Sequence, residues 1–309
     1  MAFKNLKNSF LSIGKSISNP IFIKDFDDEN LIINELEKLK EKNEDEDILN
    51  RIDKDINYVK AGIVGEKNVY YELKNSFLPI VCLHNLYLKH ENYEAQIDFL
   101  VITNKFICIL ETKKLSGDIL VNNNGDFIRQ IKNSKGKVIK KEGIYSPITQ
   151  NERHIRIVKD MLRKNNFIKS CPVISMVVLA NPKSIVNTRY APKNVKKQLI
   201  KYDQISRKLK NLIEYTDVVD MPYQTIMDIA EFLKDRHIEK KENYILSKYK
   251  DVVLKNKDVS NKTIKYENGT ESRNKYIVKE QPIINKEDLI NDLKKFRLQK
   301  SREERIKPY

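Results

Sequence analysis

Apolar and polar positions change period several times along this chain. Between Leu31 and Phe77 the period is helical: Leu31, Ile32, Leu36 and Leu39 mark one helix, and Ile48, Leu49, Ile52, Ile56, Val59 and Ile63 a second. The acidic stretch Asn43–Asp47 separates them. Gly62 and Gly65 weaken the second stripe, so a kink or restart is expected there, with Glu66 on the first turn of a helix over Lys67–Asn75. From Ile80 the pattern turns to strands, at Ile80–Leu88, about 94–103 and about 105–114. A short strand at Gly117–Val121 follows, then a turn at Asn122–Gly125. Phe127–Lys132 and Val138–Ile144 read as a hairpin around Lys135-Gly136.

A helix from about Pro147 to Arg163 has proline in its first turn and an apolar stripe of Ile148, Ile155, Val158 and Leu162. Pro172–Asn181 is nearly continuously apolar, as suits a strand covered on both faces. Helices at about Ile205–Glu214 and Thr225–Arg236 close the globular part. Toward the N-terminus, Leu6, Phe10, Leu11, Ile13 and Ile17 suit a short amphipathic helix. Residues 240–283 are polar and aperiodic, a linker composition, and Asn285–Arg305 regains a helical stripe. The organisation read from this pattern is an N-terminal helical extension over 1–60, a core over 61–238, and a polar linker with a charged helix over 239–309.

The 309 residues are 40% hydrophobic, enough for one substantial core with helical extensions. No uninterrupted apolar run is long enough to span a bilayer and no secretory signal is legible, so a cytoplasmic protein without membrane contact is expected. The three cysteines, Cys82, Cys108 and Cys171, each fall in or beside apolar strands and form no CxxC, which suits small buried hydrophobes. The net charge of +15 suits a polyanionic partner. Basic clusters occur at Lys132–Lys141, Lys193–Lys210 and Lys294–Lys307, and Lys132, Lys137, Lys140, Lys193 and Lys197 are the candidate nucleic-acid contacts. The terminal helices are candidate surfaces for a homo-oligomer or a protein partner.

The candidate chemistry centres on Glu111-Thr112-Lys113. Side chains alternate along a strand, so Glu111 and Lys113 share a face. If Asn104-Lys105 is the hairpin loop, Thr103 pairs with Phe106, which sets Asp98 opposite Glu111 and Gln96 opposite Lys113. Opposed like charges destabilise a sheet, and a divalent cation between the two carboxylates would remove that conflict.

These residues carry a resemblance. Gly62-Ile63-Val64-Gly65-Glu66, Gln96-Ile97-Asp98, Glu111-Thr112-Lys113, Gly117-Asp118-Ile119, Ser146-Pro147-Ile148-Thr149-Gln150 and the strand Val177–Asn181 together resemble a nuclease-related domain of the PD-(D/E)xK, restriction-endonuclease-like superfamily. The resemblance implies an α/β fold, a mixed central sheet flanked by helices. It implies Mg²⁺ or Mn²⁺ held by Asp98, Glu111 and the carbonyl of Thr112. It also implies catalytic roles for Glu66, Lys113, Gln96 and Gln150 in hydrolysing phosphodiester bonds, of DNA before RNA. The alternative is a catalytically silent nucleic-acid-binding or assembly protein that keeps the fold. His84 and His154 lack ligand-type partners at metal spacing and read as structural histidines.

Overall fold

The computed structural model describes residues 16–27, 30–239 and 244–249. In chain order the elements are β1 (Ile21–Lys24), α1 (Leu31–Glu41), α2 (Glu46–Lys74), β2 (Val81–His90), β3 (Tyr93–Ile102) and β4 (Ile107–Lys113). Then come β5 (Asp118–Val121), β6 (Phe127–Lys132), β7 (Val138–Ile144), α3 (Pro147–Lys164) and β8 (Val173–Leu179). The last are β9 (Val186–Asn187), α4 (Lys193–Gln198), β10 (Leu199–Lys201), α5 (Ile205–Tyr215), α6 (Tyr223–Asp235) and α7 (Tyr244–Ser247).

The central sheet has the order β1-β2-β3-β4-β8-β10. β2, β3 and β4 are antiparallel neighbours, while β4–β8, β8–β10 and β1–β2 are parallel. One face is covered by α3 and α6, through Val158, Met161, Leu162, Ile229 and Leu233. The other is covered by α2 and α5, through Val69, Leu73, Ile205 and Leu209. This is a mixed α/β architecture with helices on both faces of a mixed sheet, consistent with a restriction-endonuclease-like fold. A second sheet, β7-β6-β5-β9, packs Ile119, Val121 and Phe127 against Val177, Leu179 and Ile148.

Two expectations are corrected. α2 runs unbroken from Glu46 to Lys74, so Glu66 lies well inside a long helix and not on a first turn. The Asp45 carboxylate caps it by accepting the N–H groups of Asp47 and Ile48. Two interior glycines cost about 1 kcal/mol each relative to alanine, and the buried stripe of Ile52, Ile56, Val69 and Leu73 offsets this. Secondly, Ile21–Lys24, in a stretch that gave no strand pattern, is an edge strand parallel to β2. The amphipathic stretch around Leu6 and Phe10, the helix at Asn285–Arg305 and the cluster Lys294–Lys307 lie outside the described residues.

Candidate active site

The β3–β4 hairpin has the register counted from its loop. The Thr103 N–H donates to the Phe106 carbonyl at 2.9 Å, and the ladder runs to Phe99 opposite Leu110. Asp98 and Glu111 occupy the next step, where pairing stops. Two local distortions end it there. In β3, Leu100 and Ile102 face one core and Phe99 and Val101 the other, yet Ile97 lies with Leu100, so alternation slips beside Asp98. In β2 the position across from Asp98 is Asn85, whose φ of 49° lies in the left-handed region. The Asp98 carboxylate takes the place of the ladder by accepting the Thr112 N–H at 2.6 Å. Gln96 and Lys113 are therefore not opposed: Gln96 is exposed and pairs with Tyr87 of β2, because the strands have parted before reaching it.

β4 continues alongside β8, with Glu111 beside Val177 and Lys113 beside Leu179. Glu111 is 2% exposed. Its Oε1 accepts from Lys113 Nζ at 2.6 Å, and the same ammonium donates to Gln150 Oε1 at 3.2 Å. Gln150 is on the first turn of α3, which begins at Pro147 behind the Ser146 cap. Asn151, missed by the sequence reading, anchors that turn by donating to the Ile109 carbonyl at 2.8 Å and to Ser175 Oγ at 2.9 Å.

Glu66 arrives from the opposite layer. A Cβ on Gly65 would lie 2.8 Å from Lys114 Cβ and 3.4 Å from Ala180 Cβ. Only glycine lets α2 pass this close to the ends of β4 and β8, and that approach sets Glu66 beside the site. Glu66 Oε2 and His84 Nε2 share a hydrogen bond of 2.8 Å.

Enclosure raises all three carboxyls above the usual carboxylate range. Burial, then Glu111, raises Glu66 to about 7, with Lys113 opposing. Burial, then Glu66, raises Asp98 to about 7, against Lys113 and the Thr112 N–H. Burial, then Asp98, raises Glu111 to about 8 against Lys113 and Gln150. Burial alone would lower Lys113, but Glu111 and Asp98 outweigh it and hold the ammonium above its usual range. His84 and His154 are each pushed down to about 4, chiefly by burial, so both rings are neutral near pH 7.

Both histidines read as structural thus touch the site, His84 on Glu66 and His154 with Nδ1 3.9 Å from Glu111 Oε2. The four-residue spacing from Gln150 to His154 was the available signal for the second. Of the candidate nucleic-acid contacts, Lys132 pairs with Asp118 at 2.6 Å and Lys140 with Glu142. Lys137 lies in the β6–β7 turn, and Lys193 and Lys197 are on α4.

Among the described residues, one set of three ligand-type side chains has donor atoms within 4.8 Å of one another: His90, Glu91 and Asp160. Lys164 pairs with both of its carboxylates, at 2.5 and 2.9 Å. Glu66, Asp98 and Glu111 are looser than that, so an ion there would draw on two carboxylates, a carbonyl and water. The donor set fits a hard divalent cation: Glu111 Oε2 is buried without a hydrogen-bond partner, beside protonatable carboxyls that an ion would discharge.

No helix among the described residues is long and apolar enough to cross a membrane. No curated protein and no solved structure matches the chain. The family model of the nuclease-related domain matches residues 61–180. That match spans Glu66, Asp98, Glu111, Lys113 and Gln150, so the segment that gathers them is similar to a nuclease-related domain.

Proposed function

We propose that the chain is a divalent-metal-dependent nuclease that hydrolyses phosphodiester bonds, with DNA as substrate, in DNA processing or defence. The observation that carries this reading is the meeting of Asp98, Glu111 and Lys113 where β3 and β4 part, flanked by Glu66 and Gln150 from the two helical layers. A nucleic-acid-binding module has no need of three carboxyls around one ammonium.

Asp98, Glu111 and the Thr112 carbonyl would hold Mg²⁺ or Mn²⁺. The ion when bound polarises a phosphoryl oxygen and acidifies water. The remaining work belongs to side chains. The Asp98–Thr112 hydrogen bond fixes the carboxylate at the parting of the strands. Lys113, kept as an ammonium, opposes charge on the phosphate in the transition state. Its contact to Gln150 aims it, and with Glu111 serving as a metal ligand Lys113 would be released from its carboxylate partner. Glu66, which shares a hydrogen bond with His84, would accept or return a proton at the attacking water. Lys132, Lys137, Lys140, Lys193 and Lys197 would contact the nucleic-acid backbone, and the cytoplasm is the proposed compartment.

The test is cleavage of linear, circular, single-stranded and double-stranded DNA and RNA with Mg²⁺, Mn²⁺ or chelator. Asp98→Asn, Glu111→Gln and Lys113→Met should each abolish metal-dependent cleavage. Binding of DNA without cleavage under any divalent ion would replace this reading with that of a silent binding or assembly protein.

A further inference from the structure

Among the buried polar atoms that stand outside the hydrogen-bond network of the site, two face each other. Glu111 Oε2 and His154 Nδ1 are both buried without a hydrogen-bond partner, and they lie 3.9 Å apart. Their residues are only 2% and 8% exposed. Buried polar groups are rarely left unsatisfied, so two facing one gap point to a third body between them.

The separation limits what that body is. It exceeds a direct N–H···O hydrogen bond, which spans about 2.7–3.2 Å. Divalent ions sit about 2.0–2.2 Å from nitrogen and oxygen donors, so one ion can touch two donors up to about 4.2 Å apart. His154 is also firmly placed. Asn151 ties its helix to β4 and β8, and Gln150, one turn earlier on the same face, reaches Lys113.

We infer that His154, through Nδ1, is a ligand of the divalent ion held by Glu111, and that this nitrogen–oxygen donor set favours Mn²⁺ over Mg²⁺. The inference rests on the metal-dependent reading of the same site and adds a ligand and an ion preference to it. The chemical reason is ligand type. Mg²⁺ takes oxygen donors and gives up water reluctantly, whereas imidazole suits first-row transition ions. The ring proton then resides on Nε2. The competing occupant of the gap is a water bridging the two atoms.

Electron spin-echo spectroscopy of the full chain loaded with Mn²⁺ tests this, because an imidazole ligand imprints nitrogen-14 modulation on the Mn²⁺ signal. His90 is the other histidine in a ligand-type cluster, so it needs its own control. The modulation should be present in the wild type, survive in His90→Gln and vanish in His154→Gln. Calorimetric titration should show the Mn²⁺ affinity of His154→Gln reduced about tenfold or more, with Mg²⁺ affinity changed less. Bound Mn²⁺ without nitrogen modulation in the wild type would overturn the inference, and so would modulation that outlasts His154→Gln or disappears in His90→Gln. Cleavage without modulation removes only the His154 ligand, and modulation without cleavage removes only the nuclease reading. A chain that binds no Mn²⁺ loses the His154 ligand, and one that binds neither Mn²⁺ nor Mg²⁺ loses both.

Discussion

The carboxylate of Asp98 accepts the backbone N–H of Thr112 at 2.6 Å, across the point where two antiparallel strands separate. One side chain thus replaces the next rung of a ladder and brings a carboxyl to Glu111. Asp98→Ala would leave that N–H without its acceptor, at a cost of about 1–3 kcal/mol. Asp98→Asn keeps an acceptor oxygen and should cost much less. Thermal unfolding at pH 5, where all three carboxyls are protonated and their repulsion is absent, should separate the two variants. Equal stability would mean the hydrogen bond is not what holds the strands apart.

Stability of the metal-free protein should fall as pH rises from 6.5 to 8. Glu66, Asp98 and Glu111 have folded-state values raised to about 7, 7 and 8, so the folded protein binds more protons than the unfolded chain up to that range. Their stabilising protonation is present at low pH and is lost through this window. His84 and His154 act oppositely: lowered to about 4, they cost stability as pH falls from 6.5 toward 4, which masks the carboxyls there. Glu111→Gln should flatten much of the slope between pH 6.5 and 8, a change of about 1–2 kcal/mol. Saturating Mg²⁺ or Mn²⁺ should flatten it as well. Stability that rises with pH across this window would contradict the clustering of the carboxyls.

Gly62 and Gly65 should respond in opposite directions to alanine. A Cβ at position 62 meets nothing within 4 Å, so Gly62→Ala should stabilise α2 by about 0.5–1 kcal/mol. A Cβ at position 65 lies 2.8 Å from Lys114 Cβ, so Gly65→Ala must push the helix off the sheet end. We expect it to be destabilising by about 1–3 kcal/mol and to displace Glu66. Chemical denaturation of the two variants decides this, and the same sign for both would discount the close approach at Gly65.

Rate and affinity should separate at Lys113. Lys113→Ala removes a contact that strengthens in the transition state, so cleavage should drop by orders of magnitude while DNA affinity changes a few fold. Replacing Lys193 and Lys197 together should do the reverse, lowering the log–log salt slope of binding by about 1–2 units. Fluorescence titrations across a salt series check both, and a large affinity loss from Lys113→Ala alone would favour the binding-module reading.

Residues close in sequence determined much of the candidate site. The tight loop at Asn104-Lys105 set the hairpin register, and hence Asp98 one step beyond Phe99–Leu110. Period-2 alternation set Lys113 beside Glu111, and Ser146-Pro147 set the helix start that carries Gln150. Each is a rule of local geometry acting over a few residues. Other features were decided only by tertiary structure. Ile21–Lys24 is too short to show a period, and it is a strand because β2 has an open edge beside it. The unbroken α2 depends on packing that outweighs its glycines, and Gly65 has its use only because Lys114 and Ala180 lie against it. Gln96 misses Lys113 because β3 and β4 have parted before reaching it, at the level of Asn85 with its left-handed backbone in another strand. His84 and His154 reach the carboxylates, and the carboxyls are raised, through enclosure by segments far apart in the chain. Desolvation belongs to the folded assembly of those segments and to no residue alone.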